Sequence, residues 1–256
     1  MQKVYHEVLK FITVEGQRIV RHGGSIKDVG VTKEFLTQED VRIERGLKKI
    51  IKSHDPRHEF YAEEENGTFN HVNDYWVADP ISGTRLFIRG LHHYAIAVAH
   101  ISQGKVQFSA IYDPSVDELF TAFRGRGAFL NKKRIHISKA RKSKDTSVIY
   151  HLSWHWPDFA SGRKMFEELS KFRLFRNANS IAVNYCHVAC GRYEGVVALS
   201  KDAFPEFAAS LIVQEAGGVF VNKNGQPTIN YSDRVFMGGN RAIVNELSKI
   251  VKKVNL

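Results

Sequence analysis

The chain has 256 residues, of which 43% are hydrophobic and 25% are charged, and its formal net charge is +10 at pH 7. This length can bury a large core as one domain or as two closely joined lobes, and the composition is that of a globular protein. The sequence contains no apolar run near the roughly 18 residues that span a bilayer and no signal-peptide core, so we expect a cytoplasmic protein without a membrane segment. The positive charge favours anionic substrates or partners.

Two amphipathic helices are predicted at the start of the chain. Apolar residues recur at helical spacing over residues 3–22, and Gly23-Gly24 would stop that helix. Thr37 suits the N-cap of a second helix and Asp40 its third position, which together make a capping box. On this pattern alone, Asp40 does no more than cap the helix.

The rest of the chain is organised around residues 76–84. An apolar, strand-like run ends there in the carboxylate of Asp79, a turn at Pro80 and the small-residue step Ser82-Gly83-Thr84. Asp79 could hold a metal ion, and the free backbone N–H groups of the small-residue step, at the start of a helix, could hold a phosphate beside it. An ordinary strand followed by a turn explains the stretch equally well.

A second apolar run, residues 60–62, leads into the consecutive acids Glu63, Glu64 and Glu65, and Asn66-Gly67 then indicates a turn. Adjacent carboxylates repel one another, so they need a bound cation or open water. Because consecutive residues of a strand point to opposite faces, one or two of these acids could converge on an ion. Solvated loop acids are an equally good interpretation.

Alternating patterns and turn residues predict the remaining elements. In the first half, hairpins are expected within 93–112 and 118–130, which gives two helices beside a largely antiparallel sheet. In the second half, strands and helices alternate: strands at 148–152, 172–175, 193–199, 219–221 and 235–239, and helices at 158–170, 180–191, 207–216 and 242–254.

A basic stretch runs from Leu119 to Lys144 without a carboxylate. A solvated hairpin and loop is the favoured interpretation, and a nucleic-acid surface is the alternative. Its cations are Arg124, Arg126, Lys132, Lys133, Arg134, Lys139, Arg141, Lys142 and Lys144.

Two further groups of residues could carry chemistry. The two cysteines, Cys186 and Cys190, lie one helical turn apart, so buried thiols are favoured over a metal pair. The cluster of His151, Trp154, His155 and Trp156 is predicted to be a packed aromatic loop in preference to a metal or stacking site, because no other ligand group lies at a recognisable spacing.

Three separated pieces of the sequence resemble the inositol monophosphatase family: Ala62-Glu63-Glu64, the run from Asp79 to Thr84, and the segment from Glu206 to Gly218. The family motifs are Gly-Glu-Glu, Asp-Pro-Ile-Asp-Gly-Thr, and Trp-Asp-x-Ala-Ala-Gly followed by an apolar run and Glu-Ala-Gly-Gly. The likeness covers essentially the whole chain, including residues 125–131. It implies a layered αβαβα sandwich of the inositol monophosphatase / fructose-1,6-bisphosphatase type, usually dimeric. It also implies one phosphatase-type domain over residues 1–256, with lobes of about 1–145 and 146–256.

The resemblance also implies a Mg²⁺-dependent phosphomonoesterase site, with roles carried over by position. Thr84 and Asp40 would position and deprotonate the attacking water, and Glu64 would support them. The Ser82-Gly83-Thr84 step would bind the phosphate, mainly through the backbone N–H groups of Gly83 and Thr84. The implied metal ligands are Glu63, Asp79, the Ile81 carbonyl and Glu206, and the implied substrate positions are Ser180, Ile181, Leu199 and Lys201.

Departures from the family motifs weaken this site. Ser82 stands where the family has an aspartate that reaches two metals, and Glu206 stands where it has an aspartate one methylene shorter. Displacements near 1 Å cost catalysis on the order of a hundredfold. Leu199 replaces the inositol-binding glutamate, which disfavours inositol, and Lys201 is either a surface lysine or a contact to a second phosphate.

Two functions are therefore expected to compete. The first is a Mg²⁺-dependent phosphatase with reduced activity on a small sugar, inositol or nucleotide phosphate. The second is a catalytically silent family member that binds an anionic partner such as RNA through the basic stretch. In either case a homodimer is expected, and nucleic acid is the less expected partner.

Overall fold

The computed structural model describes residues 1–21, 27–29, 35–64, 73–140, 143–153, 155–177 and 180–256. The predicted stop at Gly23-Gly24, the turn at Asn66-Gly67, and the residues Glu65, Arg141, Lys142 and Trp154 lie outside these ranges. The helices are α1 (Gln2–Val20), α2 (Gln38–His54), α3 (Thr84–Ile88), α4 (Phe159–Leu169), α5 (Ile181–Ala189), α6 (Phe204–Glu215) and α7 (Arg241–Val254).

The strands form two sheets. The first has the order β1-β2-β3-β4-β5-β6-β7 and is antiparallel except for the parallel pair β1 and β2. The second has the order β11-β12-β10-β8-β9. The strands are β1 (Glu59–Ala62), β2 (Asp74–Ser82), β3 (Ala95–Ser102), β4 (Lys105–Asp113), β5 (Glu118–Phe123), β6 (Gly127–Leu130), β7 (Lys133–Arg134), β8 (Ser147–Leu152), β9 (Leu174–Asn177), β10 (Gly195–Leu199), β11 (Val219–Asn222) and β12 (Val235–Gly239).

Five layers of secondary structure enclose three hydrophobic clusters. Helices α1 and α2 cover one face of the first sheet, and α4 and α7 cover the outer face of the second. Helices α5 and α6 lie between the sheets, where their apolar residues join one cluster with residues of both. A helix that is apolar on all sides is a buried one, which accounts for the composition of α6. The predicted αβαβα sandwich is confirmed, and the two sheets fall on either side of residue 145, although the division into lobes stays a prediction.

The capping box at the start of α2 is confirmed. The Thr37 hydroxyl oxygen accepts the N–H groups of Glu39 and Asp40 at 3.2 and 3.3 Å, and Asp40 Oδ2 accepts the Thr37 N–H at 2.9 Å. Both cysteines are free; Cys186 is buried, as predicted, whereas Cys190 is only partly buried. Within the described ranges, none of the helices is long and apolar enough to cross a bilayer.

The end of β2 differs from the sequence prediction. The strand was expected to end at Asp79 with a turn at Pro80, but it continues to Ser82. Asp79 pairs with Ala97 and Ser82 with Ala95, so β2 carries one extra residue there. This β-bulge accommodates the proline, which has no N–H to donate, and it redirects the side chains that follow.

Candidate active site

A cavity of about 390 Å³ lies at the carboxyl end of β2. It brings together most of the residues that the sequence singled out: Glu63, Glu64, Asp79, Ile81, Ser82, Gly83, Thr84, Ile181, Lys201 and Glu206. The other three predicted site residues, Asp40, Ser180 and Leu199, are fully buried and do not line it. The elements that meet at the cavity are therefore distant in sequence, and each contributes one or two functional side chains.

Parallel pairing of β1 and β2 places Glu63 beside Asp79. Ala62 is in register with Ala78, and the Glu63 N–H continues the ladder by donating to the Ala78 carbonyl at 3.3 Å. Neighbouring strands lie about 4.8 Å apart, so the two carboxylates leave adjacent strands at the same end of the sheet. Asp79 is 3% exposed, and Ile81, which follows the bulge, lines the same cavity.

Thr84 connects this end of β2 to Asp40. Its hydroxyl lies 2.8 Å from the Ile81 carbonyl oxygen and 3.3 Å from Asp40 Oδ1, and it can donate to one of them at a time. Asp40 Oδ2 is held by the N–H and hydroxyl of Thr37, which leaves Oδ1 directed toward Thr84. Asp40, which belongs to the capping box of α2, thus also faces Thr84 in the first turn of α3.

The Asp40 carboxyl is electrostatically unusual. Burial, with a smaller contribution from the charges of Glu64 and Glu63, raises its pKa from the ordinary value to about 8, although the hydrogen bonds from Thr37 act in the opposite direction. A carboxylic acid with a pKa near neutrality can exchange a proton at physiological pH, which an ordinary exposed aspartate does poorly.

The step from β2 into α3 depends on Gly83. Its φ is +95°, and a Cβ added there would lie 3.0 Å from the His93 carbonyl oxygen and 3.2 Å from Ser180 Cβ. Glycine is therefore required by both conformation and space. The N–H groups of Leu86 and Phe87 donate to the Gly83 carbonyl, so the hydrogen bonds of α3 begin at Leu86 and leave the N–H groups before it outside the helical ladder.

Ser82, which stands where the family motif has an aspartate, contacts Ser180. Its hydroxyl lies 3.4 Å from that of Ser180 and is almost fully buried. The Ser180 hydroxyl also accepts the Val183 N–H as the N-cap of α5, and the Ser180 N–H donates to His93 Nδ1 at 3.2 Å. Ser180 therefore supports the cavity wall from behind, whereas its neighbour Ile181 lines it.

Glu206 occupies the first turn of α6 and is completely buried. Its Oε1 accepts hydrogen bonds from the Ser200 hydroxyl at 2.6 Å and the Tyr185 hydroxyl at 3.3 Å. Its Oε2 has no hydrogen-bond partner among the described residues. Burial, with a smaller contribution from the charge of Asp202, raises the pKa of Glu206 to about 8, against the hydrogen bonds from Ser200 and Tyr185. An orphaned carboxyl oxygen at a cavity wall is a suitable ligand for a cation.

Lys201 reaches into the same cavity. Its ammonium Nζ lies 3.6 Å from Glu63 Oε1, and its side chain is 39% exposed. Arg85 and Arg89 also line the cavity, and the Arg85 guanidinium stacks over the Phe35 ring at 5.6 Å. Lys201 is thus an exposed lysine, as one of the two interpretations has it, and it also pairs with a predicted metal ligand at the cavity.

Leu199 is not a substrate residue in this structure. It is fully buried in β10 and packs in the cluster between the second sheet and helices α4 and α7. Its side chain points away from the cavity because successive residues of a strand alternate between the two faces. The predicted substrate-binding role of Leu199 is therefore not supported by its position.

Several cavity residues were missed or undervalued by the sequence reasoning. His151 and His155, interpreted as packing residues, line the cavity, whereas Trp156 packs against the hydrophobic cluster beside α4 and α7 and donates its indole N–H to Ser161 at 3.2 Å. Asp202 and Ser200 follow β10 and line the cavity as well. The sequence signal that could have identified Ser200 and Asp202 is the polar run that directly follows the apolar strand β10.

The donor atoms at the cavity suit a hard cation. The carboxylates of Glu63 and Asp79, the Ile81 carbonyl and the orphaned Glu206 Oε2 are all oxygens, the ligands that Mg²⁺ prefers. Within the described ranges, no three carboxylates of the cavity converge to within 4.8 Å.

Comparison with known proteins identifies the family of this chain. The sequence model of the protein family described as "Inositol monophosphatase family" matches residues 7–255. The Nus factor SuhB of Pasteurella multocida is 29% identical over 225 residues, 86% of this chain and 83% of that protein, and the inositol-1-monophosphatase of Rhizobium meliloti is 29% identical over 218 residues, 82% of each. The solved structure of the Thermotoga maritima IMPase matches with a TM-score of 0.86 at 25% identity, covering 100% of this chain and 98% of that one. On its motifs, its fold and these similarities, the chain belongs to the inositol monophosphatase family.

Proposed function

We propose that this protein is a Mg²⁺-dependent phosphatase that hydrolyses a small phosphomonoester. The observation that carries the proposal is that Thr84, whose hydroxyl lies 3.3 Å from the buried Asp40 carboxyl, lines the same cavity as the carboxylates of Glu63 and Asp79. Hydrolysis of a phosphomonoester needs a positioned water, a group that takes its proton, and positive charge against the phosphate oxygens. The cavity offers candidates for all three.

Thr84 and Asp40 are the residues proposed to activate the water. The Thr84 hydroxyl can accept a hydrogen bond from a water while donating its own proton toward Asp40 Oδ1, 3.3 Å away. Asp40 is fixed on its other oxygen by Thr37, so its free oxygen keeps that direction. Its raised pKa, about 8, suits a group that gains and releases a proton near neutral pH.

The phosphate is proposed to bind at the start of α3. The backbone N–H groups of Gly83 and Thr84 precede the helical ladder, and Arg85 supplies a guanidinium on the same wall. Positive charge from Arg89 and Lys201 extends beyond this point. A substrate with a second anionic group would use these cations, whereas a neutral polyol such as inositol would gain less from them.

Glu63, Asp79, the Ile81 carbonyl and Glu206 would hold Mg²⁺. When bound, the ion supplies a Lewis acid that offsets the repulsion between the nucleophile and the phosphate oxygens. Ser82 contributes no charge to this set, and Lys201 competes electrostatically for Glu63 at 3.6 Å. We therefore expect weak binding, mainly of one ion, and modest turnover.

Phosphate release from a panel of phosphomonoesters, with and without Mg²⁺, tests the proposal. The panel includes sugar, inositol and nucleotide monophosphates, each beside its bisphosphate. Asp79→Asn and Thr84→Ala should each abolish the Mg²⁺-dependent release while keeping the fold by circular dichroism. Release that survives either substitution, or calorimetry with two or three tight Mg²⁺ sites, would contradict the proposed site.

A second candidate function rests on the basic stretch and on a relative named a Nus factor. Strands β5 to β7 present it at the edge of the first sheet, where Arg126, Lys132, Lys133 and Lys139 are exposed. Such a surface suits the phosphates of a nucleic acid, and its binding should weaken steeply with salt because counterions are released.

Arg134 is a poor choice for testing that surface. Its guanidinium donates to the Arg126 carbonyl at 2.8 Å and lies 5.3 Å from the centre of the Phe129 ring, so its removal perturbs the hairpin. Replacement of Lys132 and Lys133 by alanine leaves those contacts in place. RNA binding that is absent at low salt, or unchanged in the double variant, would leave a solvated hairpin as the interpretation.

A further inference from the structure

Three ligand-type side chains meet at the other end of β2, away from the cavity. His58 immediately precedes β1, Asp74 begins β2, and His100 lies in β3. One potential ligand atom from each lies within 4.8 Å of the others. Because β2 extends from Asp74 to Ser82 and a strand rises about 3.3 Å per residue, this group is about 25 Å from the predicted phosphate site.

Sheet register explains why these residues converge. Trp76 pairs with His100 across β2 and β3, so Asp74, two residues earlier in β2, lies diagonally next to His100 on the same face. Glu59 pairs with Tyr75 in the parallel ladder of β1 and β2, and one step back along that register sets His58 opposite Asp74. The three positions are thus neighbours on one edge of one sheet face.

We propose that His58, Asp74 and His100 bind a divalent transition-metal ion, with Zn²⁺ as the best match. Two imidazoles and one carboxylate form a donor set that suits zinc, with ligand distances of about 2.0–2.2 Å. Ligand atoms in such a site lie roughly 3.3 Å apart, so small rotations of the side chains suffice to close the site around an ion. The Asp74 side chain is 45% exposed, which gives a water access to the fourth position.

His100 carries an independent sign of a missing ligand. It is 3% exposed, and its Nε2 lies 3.5 Å from Asp74 Oδ1 without a hydrogen bond to any of the described residues. Its other nitrogen, Nδ1, lies 2.8 Å from the Tyr5 hydroxyl. If Nδ1–H donates to Tyr5, the lone pair of Nε2 faces the cluster, which is how an outer hydrogen bond orients a metal-binding histidine.

To bind an ion, His58 would have to give up its contact with Trp76. The Trp76 indole N–H, which can only donate, lies 3.4 Å from His58 Nδ1, at the long limit of a hydrogen bond. Binding of an ion by His58 would replace or weaken this long contact. The Trp76 ring also lies 4.9 Å from the His100 ring, so Trp76 is an internal reporter of the site. The bound ion would connect the entry to β1 with β2 and β3, and through Tyr5 with α1.

Zinc titration of the tag-free full chain tests this inference. The protein is stripped with a chelator and titrated with ZnCl₂ by calorimetry in excess Mg²⁺, which competes for the cavity oxygens but poorly for imidazole. We expect one Zn²⁺ per chain, a higher Tm with Zn²⁺, and a change in Trp76 fluorescence. Asp74→Asn and His58→Gln should each weaken binding by about tenfold or more.

Two matched controls separate this site from others. His54→Gln changes a histidine that pairs with Glu7 at 2.9 Å outside the cluster, and Glu63→Gln changes the cavity; both should keep the zinc site. Asp74 is half-exposed, so Asp74→Asn keeps the protein folded even where replacement of buried His100 does not. Zinc binding that is absent in the wild type, unchanged in Asp74→Asn and His58→Gln, or lost in Glu63→Gln would each overturn the proposal.

Discussion

Replacement of Lys201 by methionine tests the electrostatics of the cavity. Lys201 Nζ lies 3.6 Å from Glu63 Oε1, so the lysine neutralises a carboxylate that is proposed to hold Mg²⁺. Methionine keeps most of the length of the side chain and removes its charge. We expect Lys201→Met to bind Mg²⁺ more tightly, because Glu63 no longer has to exchange one cation for another.

The size of this effect follows from the ion pair. Two unit charges at this separation attract each other by about 1 kcal/mol in water and about 4–5 kcal/mol at an effective dielectric constant near 20. Because the Lys201 side chain is 39% exposed, solvent screens the pair and the lower value applies. A change of about 1 kcal/mol corresponds to about a fivefold tighter Mg²⁺ dissociation constant.

Calorimetric titration with Mg²⁺ at two salt concentrations measures this change. The matched control is Lys139→Met, which removes the same charge from an exposed position outside the cavity. The gain should be specific to Lys201 and should shrink at high salt. If Lys201→Met binds Mg²⁺ no more tightly than the control, the lysine does not compete for Glu63, and the reasoning about the cavity charges is refuted.

Three further predictions concern other parts of the fold. Ser82→Asp should tighten Mg²⁺ binding by about tenfold, because it adds one charged ligand, and it should raise phosphate release. Lower phosphate release in that variant would mean that Ser82 belongs to a different, working arrangement of the active site. Gly83→Ala should lower the urea-unfolding free energy by about 1–3 kcal/mol, more than Gly104→Ala, which has a similar positive φ but no atom within 4 Å of the added Cβ; equal losses would exclude the contact with His93. Burial lowers the pKa of His187 to about 4, so this residue binds its proton in the unfolded chain but not in the folded protein between pH 6.5 and 4. Relative to a His187→Gln variant, the wild type should therefore lose roughly 1–2 kcal/mol of stability from pH 7 to 5; if both proteins change with pH in the same way, His187 makes no such contribution.

Much of the architecture could be predicted from residues that are close in sequence. The capping box of Thr37 and Asp40 forms within one helical turn, and the hairpin at Gln103-Gly104-Lys105 follows from local turn preferences, so neither requires the rest of the fold. The ordered motifs around Glu63 and Asp79 likewise identified the family and most of the cavity residues. These features depend on short-range hydrogen bonding, periodicity and motif order, all of which are visible in a linear sequence.

Contacts between distant residues were decided only by the tertiary structure. Glu206 depends on Tyr185 and Ser200, Lys201 meets Glu63 across the cavity, and Leu199 faces the core although its neighbour Ser200 lines the cavity. The convergence of His58, Asp74 and His100 likewise requires the register of three strands, since no motif spacing connects them. Register and layer packing depend on the whole buried core, and a shift of one residue reverses the face of every side chain in a strand, so short-range sequence patterns cannot specify which of these side chains meet.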